Sequence, residues 1–432
     1  MFKEINRLAI PAIIGGIAEP LIALADNAII GHLGTNELGA VGLGTSFYLL
    51  IIWVLAQTKT AISAIVAKHL GQNRLNTLKN LIPQSILLNA SLGSIFLVIT
   101  YLFAEQIFRG YSASGLLLEN TVSYFKIRAF GFPLALMTFG CFGIFRGLQN
   151  TIWAMSIAIS GSVLNLLLNL ALVYGIEGII PALGLSGAAY ASLAAQSYML
   201  FMACWFLIKK TPFGLFGKWR LHPEFKNLLG LSYNLFVRTL LLNLAYFIAN
   251  KICTYAGTVA IATHTIAMNI WLFSAFFIDG YANAGNALSG KFLGKKQIDQ
   301  LHQLAKKLSW VGLGAGCLLS LVYLIVYPWI ATWFTPDVAV QNLFKQMFWL
   351  VILSQPINAI AFIYDGIFKG LGDARFLRNV LFHATVFGFI PIATLSYVYG
   401  WSIQGVWVAF FVWMLVRAFL PLFHFRRRYV KH

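Results

Sequence analysis

The stretch FGIFRGLQN (Phe142–Asn150) occurs again in altered form as DGIFKGLGD (Asp365–Asp373), 223 residues further along the chain. The same shift places AKHLG (Ala67–Gly71) on GKFLG (Gly290–Gly294). Other residues made equivalent by this shift are Asn27 with Asn250 and Pro133 with Pro356. The register holds without gaps through four consecutive apolar segments of each half. The sequence therefore contains an internal repeat that covers most of its length.

The repeated segments are strongly apolar. Of the 432 residues, 59% are hydrophobic and only 10% are charged, and the mean hydropathy is +0.78. A soluble protein of this length could not bury so much apolar surface, so we predict a polytopic membrane protein. Twelve apolar runs are long enough to span a bilayer, at approximately 8–31, 41–67, 82–103, 124–145, 152–174, 184–208, 228–250, 259–289, 308–330, 346–368, 376–399 and 401–424.

The twelve spans divide equally between the two repeats. We predict an all-α integral membrane protein with an N-terminal lobe (1–208), a cytoplasmic linker (209–227) and a C-terminal lobe (228–432), each lobe holding six helices. An even number of spans per repeat gives both lobes the same orientation. Parallel repeats of this kind are typical of transporters, whose sites lie in the cavity between the repeats.

The basic residues indicate the orientation of the chain. The formal net charge is +18, from 31 Lys and Arg against 13 Asp and Glu. Most basic residues lie at the two ends, in the central linker and in loops that follow even-numbered spans. This alternation argues against a nucleic-acid partner, and the positive-inside rule places both termini in the cytoplasm of a cell with the protein in its inner (plasma) membrane. Contact with anionic lipids would explain the same charges equally well.

Several ionisable side chains fall inside the predicted spans. Such residues persist in a bilayer where they are paired, line water or function. Glu19 and Asp26 are seven residues apart in the first span and share one helical face. Lys59 lies near the depth of Glu19, and Arg238 and Asp279 lie at similar depths in the seventh and eighth spans. We therefore predict one ion pair in each half, Glu19 with Lys59 and Arg238 with Asp279.

Asp26 differs from these residues because no basic side chain in its own half matches its depth. Burial disfavours the charged form of an unpaired carboxylate, so such a group can take up and release a proton near neutral pH. In the fifth span Asn165 and Asn169 are four residues apart and share a face. They can join Asp26 in a hydrogen-bonded cluster or an oxygen-lined Na⁺ site. Hydrogen bonding between helices is the alternative explanation.

The second half has polar residues of its own. Asp279, Asn283 and Asn286 recur at helical spacing along the eighth span. With Lys59, Arg238 and Asn250 they are candidates for a polar network that lines the transport cavity. Asp365 precedes Lys369 by four residues near the predicted cytoplasmic end of the tenth span, where a snorkelling ion pair explains both.

Four stretches, taken with the two-half arrangement, resemble a known family. LADNAIIGHLG (Leu24–Gly34) and FRGLQNT (Phe145–Thr151) resemble the MATE family of multidrug and toxic compound extrusion transporters. DGYANAGNALSGKFLG (Asp279–Gly294) and YDGIFKGLGD (Tyr364–Asp373) resemble its DinF-like branch. The resemblance covers nearly the whole chain. It implies two lobes that alternate between outward-open and inward-open states and export small organic compounds.

The resemblance also implies a coupling site in the N-terminal lobe. Asp26 matches the aspartate that is the family's usual candidate for ion coupling, and Ser192 matches a Thr or Ser of the same cluster. Asn165 and Asn169 match a pattern Asn-x-x-x-Asp, with Asn169 in place of the aspartate. The missing carboxylate favours H⁺ over Na⁺ as coupling ion and leaves Asp26 as the only acid of the cluster unless Glu19 joins it. No cofactor other than the coupling ion is implied.

Other functions are weighed against this one. A Na⁺-coupled exporter of the same family remains open. A flippase for lipid-linked precursors, from the same superfamily, predicts a strongly cationic cavity, whereas the only basic residues away from the ends of the spans are Lys59, Arg238 and Arg417. A membrane enzyme needs a catalytic cluster such as HExxH, and the sequence has none. Because two complete lobes suffice for transport, we expect a monomer.

Overall fold

The computed structural model describes residues 1–217 and 220–429, and the side chains of residues 18–28 and 35 lie outside the described part. Glu19 and Asp26 are among these side chains. The predicted Glu19–Lys59 pair and the predicted contacts of the Asp26 carboxylate therefore lie outside the described residues and stay predictions.

The described chain is built almost entirely from α-helices. Their bounds are α1 (Phe2–Gly31), α2 (Thr35–Leu55), α3 (Gln57–Gly71), α4 (Leu81–Leu102), α5 (Ala104–Gly110), α6 (Gly115–Ala129), α7 (Gly131–Gly147), α8 (Ile152–Tyr174), α9 (Gly184–Lys210), α10 (Pro223–Tyr255), α11 (Thr258–Gly294), α12 (Ile298–Phe334), α13 (Val338–Gly370), α14 (Ala374–His383), α15 (Ile390–Val398) and α16 (Ser402–Tyr429). A 3₁₀ turn at Leu75–Lys79 precedes α4, and a π-helical segment at Ala384–Phe389 joins α14 to α15.

Every predicted span coincides with helical structure. Within the described residues, 10 helical segments are long and apolar enough to cross a membrane. The pair α6–α7, which bends by 43° at the break between the two helices, makes an eleventh if it is counted as one span. The first predicted span lies in α1, which has 30 residues.

The first copy of the repeated stretch ends α7 and packs it tightly against α3. A Cβ atom at Gly143 would lie against the carbonyl oxygen of Lys59. A Cβ atom at Gly147 would lie 2.8 Å from the carbonyl oxygen of Ser63. These two glycines, four residues apart, let the helix backbones approach more closely than any larger residue would allow, as small residues do in membrane helix pairs.

The second copy makes the equivalent contact between α13 and α11. A Cβ atom at Gly366 would lie against the carbonyl oxygen of Ala282, and one at Gly370 against that of Asn286. The hydroxyl of Ser289 on α11 donates to the carbonyl oxygen of Ile367 over 3.0 Å across the same contact. The repeat seen in the sequence is therefore a repeat of close helix packing.

The chain folds into two compact units, residues 14–229 and residues 1–13 together with 230–432. In the second unit, residues 1–13 lie beside α11 and α12. Glu4 is 3.7 Å from the Nζ atom of Lys291, and the Nζ atom of Lys307 lies 5.2 Å from the ring centroid of Phe2. The predicted lobe boundaries at 208 and 228 stay a prediction. That prediction placed residues 1–13 in the N-terminal lobe, whereas the structure groups them with residues 230–432.

Candidate functional site

The structure brings together the three described members of the predicted coupling site. Asn165 and Asn169 are buried on α8 and face Ser192 on α9. The Nδ2 atom of Asn165 donates to the Ser192 hydroxyl over 3.3 Å, and Asn169 Nδ2 donates to Asn165 Oδ1 over 3.5 Å. The cluster thus joins two helices through neutral polar groups, with both asparagines buried and Ser192 half-buried.

The C-terminal part of α1 lies against the same two helices. Ile29 and Ile30 are buried in one apolar cluster with Val173 of α8 and Ala188 of α9. The Tyr174 hydroxyl donates to the carbonyl oxygen of Ile29 over 2.7 Å. Asp26 occupies α1 one helical turn before Ile29–Ile30. The backbone of Asp26 therefore lies one turn before a part of α1 that packs against α8 and α9, the two helices that hold Asn165, Asn169 and Ser192.

A second polar group in this unit was not among the predicted site residues. The guanidinium carbon of Arg128 on α6 lies 4.1 Å from the ring centroid of the buried Tyr48. The Tyr48 hydroxyl accepts from Gln196 Nε2 over 3.1 Å, and Gln196 lies one helical turn beyond Ser192 on α9. Two signals in the sequence could have indicated this group: Arg128 falls within the predicted span 124–145, and Gln196 follows Ser192 by four residues.

Lys59, predicted to pair with Glu19, points its amine at an aromatic ring. Its Nζ atom lies 4.7 Å from the ring centroid of Phe139 on α7. This cation–π contact is compatible with a further ionic partner, because a ring occupies only one side of an ammonium group.

In the second unit the charged residues form a buried cluster around one carboxylate. Arg238 Nη2 on α10 lies 2.6 Å from Asp365 Oδ1 on α13, and Lys369 Nζ lies 2.6 Å from Asp365 Oδ2. The Asp365 side chain is 11% exposed and the Lys369 side chain 17%. The predicted pair of Asp365 with Lys369 forms, but it is buried within the helix bundle and is not a snorkelling surface pair.

The predicted pair of Arg238 with Asp279 is wrong. Arg238 binds Asp365 instead, and no salt bridge involves Asp279 within the described part of the chain. The Asp279 carboxylate accepts from Asn283 Nδ2 over 3.0 Å, one turn further along α11. The position of Arg238 along its span predicts a depth but not the direction in which α10 presents the side chain.

Arg417 on α16 completes the charged cluster. Its guanidinium carbon lies 4.3 Å from the ring centroid of Trp413 and 5.5 Å from that of Phe362. Arg417 is buried within electrostatic reach of Asp365 and Arg238. Its Nη2 atom has no hydrogen-bond partner among the described residues. The cluster therefore sets three cations against a single carboxylate.

The predicted polar stripe on α11 is only partly brought together. Asp279 and Asn283 form the hydrogen bond described above and are half-buried. Asn286 is buried where α11 packs against Gly370 of α13. Asn250 is exposed on α10. The stripe therefore divides into an accessible pair and a packing residue, and Asn250 stays a candidate on sequence grounds alone.

Membrane-spanning helices in an internal repeat, with polar clusters buried among them, are typical of membrane transporters. The MatE family profile matches residues 11–171 and 235–394, which covers both repeats. The chain belongs to the MatE family, and members of this family are transporters and not enzymes.

Individual relatives agree with this assignment over nearly the full chain. The DNA damage-inducible protein F of Escherichia coli K12 is 26% identical over 96% of this chain and 90% of its own length. A MATE structure in the bent conformation superposes with a TM-score of 0.92 at 22% identity, covering 99% of this chain and 95% of the other. A MOP superfamily transporter from Pyrococcus furiosus, described as having a binding pocket of reverse polarity that suggests a different function, superposes with a TM-score of 0.90 at 21% identity, over 99% and 96% of the two chains. The predicted all-α fold of two six-helix lobes is confirmed.

Proposed function

We propose that this multidrug efflux transporter exports cationic or amphipathic organic compounds in exchange for inward-moving H⁺. Family membership supports the transport activity. The observation that carries the choice of coupling site is the hydrogen bond between Asn165 and Ser192, which joins α8 and α9 beside the segment of α1 that bears Asp26. A proton is preferred to Na⁺ because Asn169 supplies an amide where the family pattern has a carboxylate.

In this proposal Asp26 switches the polarity of the N-terminal lobe. Deprotonated, it favours a cationic substrate, and protonation from the outside removes that charge and releases the substrate. Gly15, Gly16 and Pro20 weaken the helix between the cytoplasmic end and Asp26, so α1 can bend and repack when Asp26 becomes neutral. Coupling requires the proton to bind one conformation more tightly than the other, since a ligand of equal affinity shifts no equilibrium.

The proposal includes the setting of the protein. We propose that it is a multi-pass protein of the inner (plasma) membrane with both termini in the cytoplasm. The support is the excess of Lys and Arg at the two ends, in the central linker and in the loops after even-numbered spans, because cytoplasmic loops carry such an excess. We propose that one chain is sufficient for transport, because each chain contains both repeats.

The test is transport of a lipophilic cationic dye by purified protein in proteoliposomes, under an imposed ΔpH or an imposed ΔNa⁺. We expect the wild-type protein to move dye under ΔpH alone. Asp26→Asn keeps the size of the side chain but removes its proton chemistry, so ΔpH-driven transport should fall to the level of protein-free vesicles. Asp299→Asn, which makes the same change at an exposed acid on α12 of the other unit, is the matched control and should retain transport.

Each alternative has its own outcome in this assay. Dye movement driven only by ΔNa⁺ would show a Na⁺-coupled exporter and overturn the argument from Asn169. Equal transport by the wild-type protein and Asp26→Asn would remove Asp26 from the mechanism and direct attention to Glu19.

A second candidate function is supported by the charged cluster of the second unit. Three buried cations, Arg238, Lys369 and Arg417, face one carboxylate, which suits an anionic substrate such as a lipid-linked precursor. An anionic dye of similar size, compared with the cationic dye in the same proteoliposomes, distinguishes the two. Preferential movement of the anionic dye, lost in Arg417→Gln, would favour this second function.

A further inference from the structure

The second unit contains a groove that neither the coupling site nor the charged cluster uses. Its volume is about 1090 Å³, and it runs between α12, α13 and α16. Most of its wall is apolar, including Leu313, Ile357, Ile360 and Leu422. Three aromatic side chains along it are strongly exposed: Trp310 at 67%, Phe419 at 46% and Phe423 at 61%. In a membrane protein such exposed apolar side chains contact lipid chains.

One end of the groove is basic. Lys306 lies about two turns into α12, and Arg426 and Arg427 lie in the last turn of α16, all three lining the groove and exposed. Among the described residues no Asp or Glu lines the groove, and none of these three side chains forms a salt bridge. The neighbouring Arg428 does form one, 2.8 Å from Asp373 Oδ2, and does not line the groove. The two arginines beside it are thus left to bind an external anion.

The length of the groove matches one leaflet of a bilayer. From His302 to Leu313 the groove follows α12 for about 16 Å, at ~1.5 Å per residue. Half of a hydrocarbon core that is about 30 Å thick is close to 15 Å. The basic end lies where the C-terminus leaves the membrane, and the apolar walls extend toward the bilayer centre. The volume also exceeds the range of roughly 300–1,000 Å³ that is usual for small-molecule pockets.

We propose that this groove binds one anionic diacyl phospholipid of the leaflet on the C-terminal side. The phosphate contacts Lys306, Arg426 and Arg427, and the acyl chains lie along Trp310 and Phe419. The basic residues select the headgroup charge, while the apolar walls hold the chains in contact with three helices. The proposal is independent of which substrate or coupling ion the transporter uses.

The test measures lipid that stays bound to purified protein. Protein is reconstituted in vesicles of equal parts phosphatidylglycerol and phosphatidylcholine, extracted in mild detergent, and its retained lipids are quantified by mass spectrometry. We expect wild-type protein to retain phosphatidylglycerol in preference. Each basic residue near an anionic headgroup contributes roughly a factor of five in binding, so Lys306→Ala/Arg426→Ala/Arg427→Ala should weaken retention on the order of a hundredfold.

Two further variants keep the result interpretable. Lys3→Ala/Lys295→Ala/Arg375→Ala removes the same charge from exposed residues outside the groove and should retain lipid like the wild-type protein. Leu313→Trp fills the apolar part of the groove without changing any charge and should also lose phosphatidylglycerol.

Three outcomes would overturn the proposal. The first is unchanged retention in the groove triple variant. The second is equal loss in both triple variants, which would mean general surface attraction. The third combines two results: Leu313→Trp retains phosphatidylglycerol like the wild-type protein, and soluble glycerol phosphate added to the purified protein displaces all of the bound phosphatidylglycerol. Together they would mean that the site binds a free phosphate group and not a lipid.

Discussion

Asp365→Asn is expected to lower the free energy of unfolding by about 3–5 kcal/mol, the usual effect of removing one partner from a buried ion pair. The carboxylate is the only anion that contacts Arg238 and Lys369 among the described residues, and Arg417 lies close by. Asparagine keeps the shape of the side chain but leaves buried cations without a counter-charge. In detergent, the thermal unfolding midpoint of a chain of 432 residues should fall by roughly 4 °C.

Two variants test whether this loss arises from unpaired charge. Arg238→Gln added to Asp365→Asn replaces the pair with two neutral amides and should recover much of the lost stability, since exchanging a whole buried pair is often nearly neutral. Asp279→Asn should change the midpoint little, because Asp279 is half-buried and its carboxylate accepts a hydrogen bond from Asn283 that an amide oxygen can also accept. A large fall in the unfolding midpoint for Asp279→Asn, with a small fall for Asp365→Asn, would contradict this expectation. It would favour the pair of Arg238 with Asp279 that depth along the spans predicts.

The spans could be predicted from the sequence because each is one apolar run between polar or turn residues. Their ends could not. α12 covers Ile298–Phe334, whereas the apolar run predicts 308–330. The first ten residues of α12 carry Lys306, Lys307 and His302, and these polar turns continue the helix beyond the apolar run. Hydropathy therefore reports the part of a helix that contacts lipid chains and not the whole helix.

The contacts of the polar residues could also be predicted only in part. The meeting of Asn165, Asn169 and Ser192 could be expected, because the family resemblance supplies the contact between two helices. The partner of Arg238 could not, because position along a span gives depth but not the angle at which a side chain leaves the helix. Arg128 shows the same limit, since its position near the start of a span does not reveal that it covers the ring of a buried tyrosine.

Gly370→Val is expected to lower the stability by about 3 kcal/mol or more, at the upper end of the usual cost of overpacking. A Cβ atom there would meet the carbonyl oxygen of Asn286 and the hydroxyl of Ser289. Backbone atoms of a neighbouring helix cannot turn away as a flexible side chain can, so α11 and α13 would have to separate. The measurement is the unfolding midpoint in detergent, together with the monodisperse fraction on size-exclusion chromatography.

The control must separate steric overlap from the intrinsic effect of valine in a helix. Gly314 on α12 has no atom within 4 Å of an added Cβ, so Gly314→Val carries the same change in helix propensity without the contact. Gly147→Val probes the equivalent position of the first repeat, where the carbonyl oxygen of Ser63 lies 2.8 Å from an added Cβ. If both repeat glycines share one role, Gly147→Val and Gly370→Val should destabilise alike while Gly314→Val stays near wild type. A loss of stability confined to Gly370→Val would contradict this expectation. It would mean that both halves contain the close helix contact but that only the contact in the second half stabilises the protein.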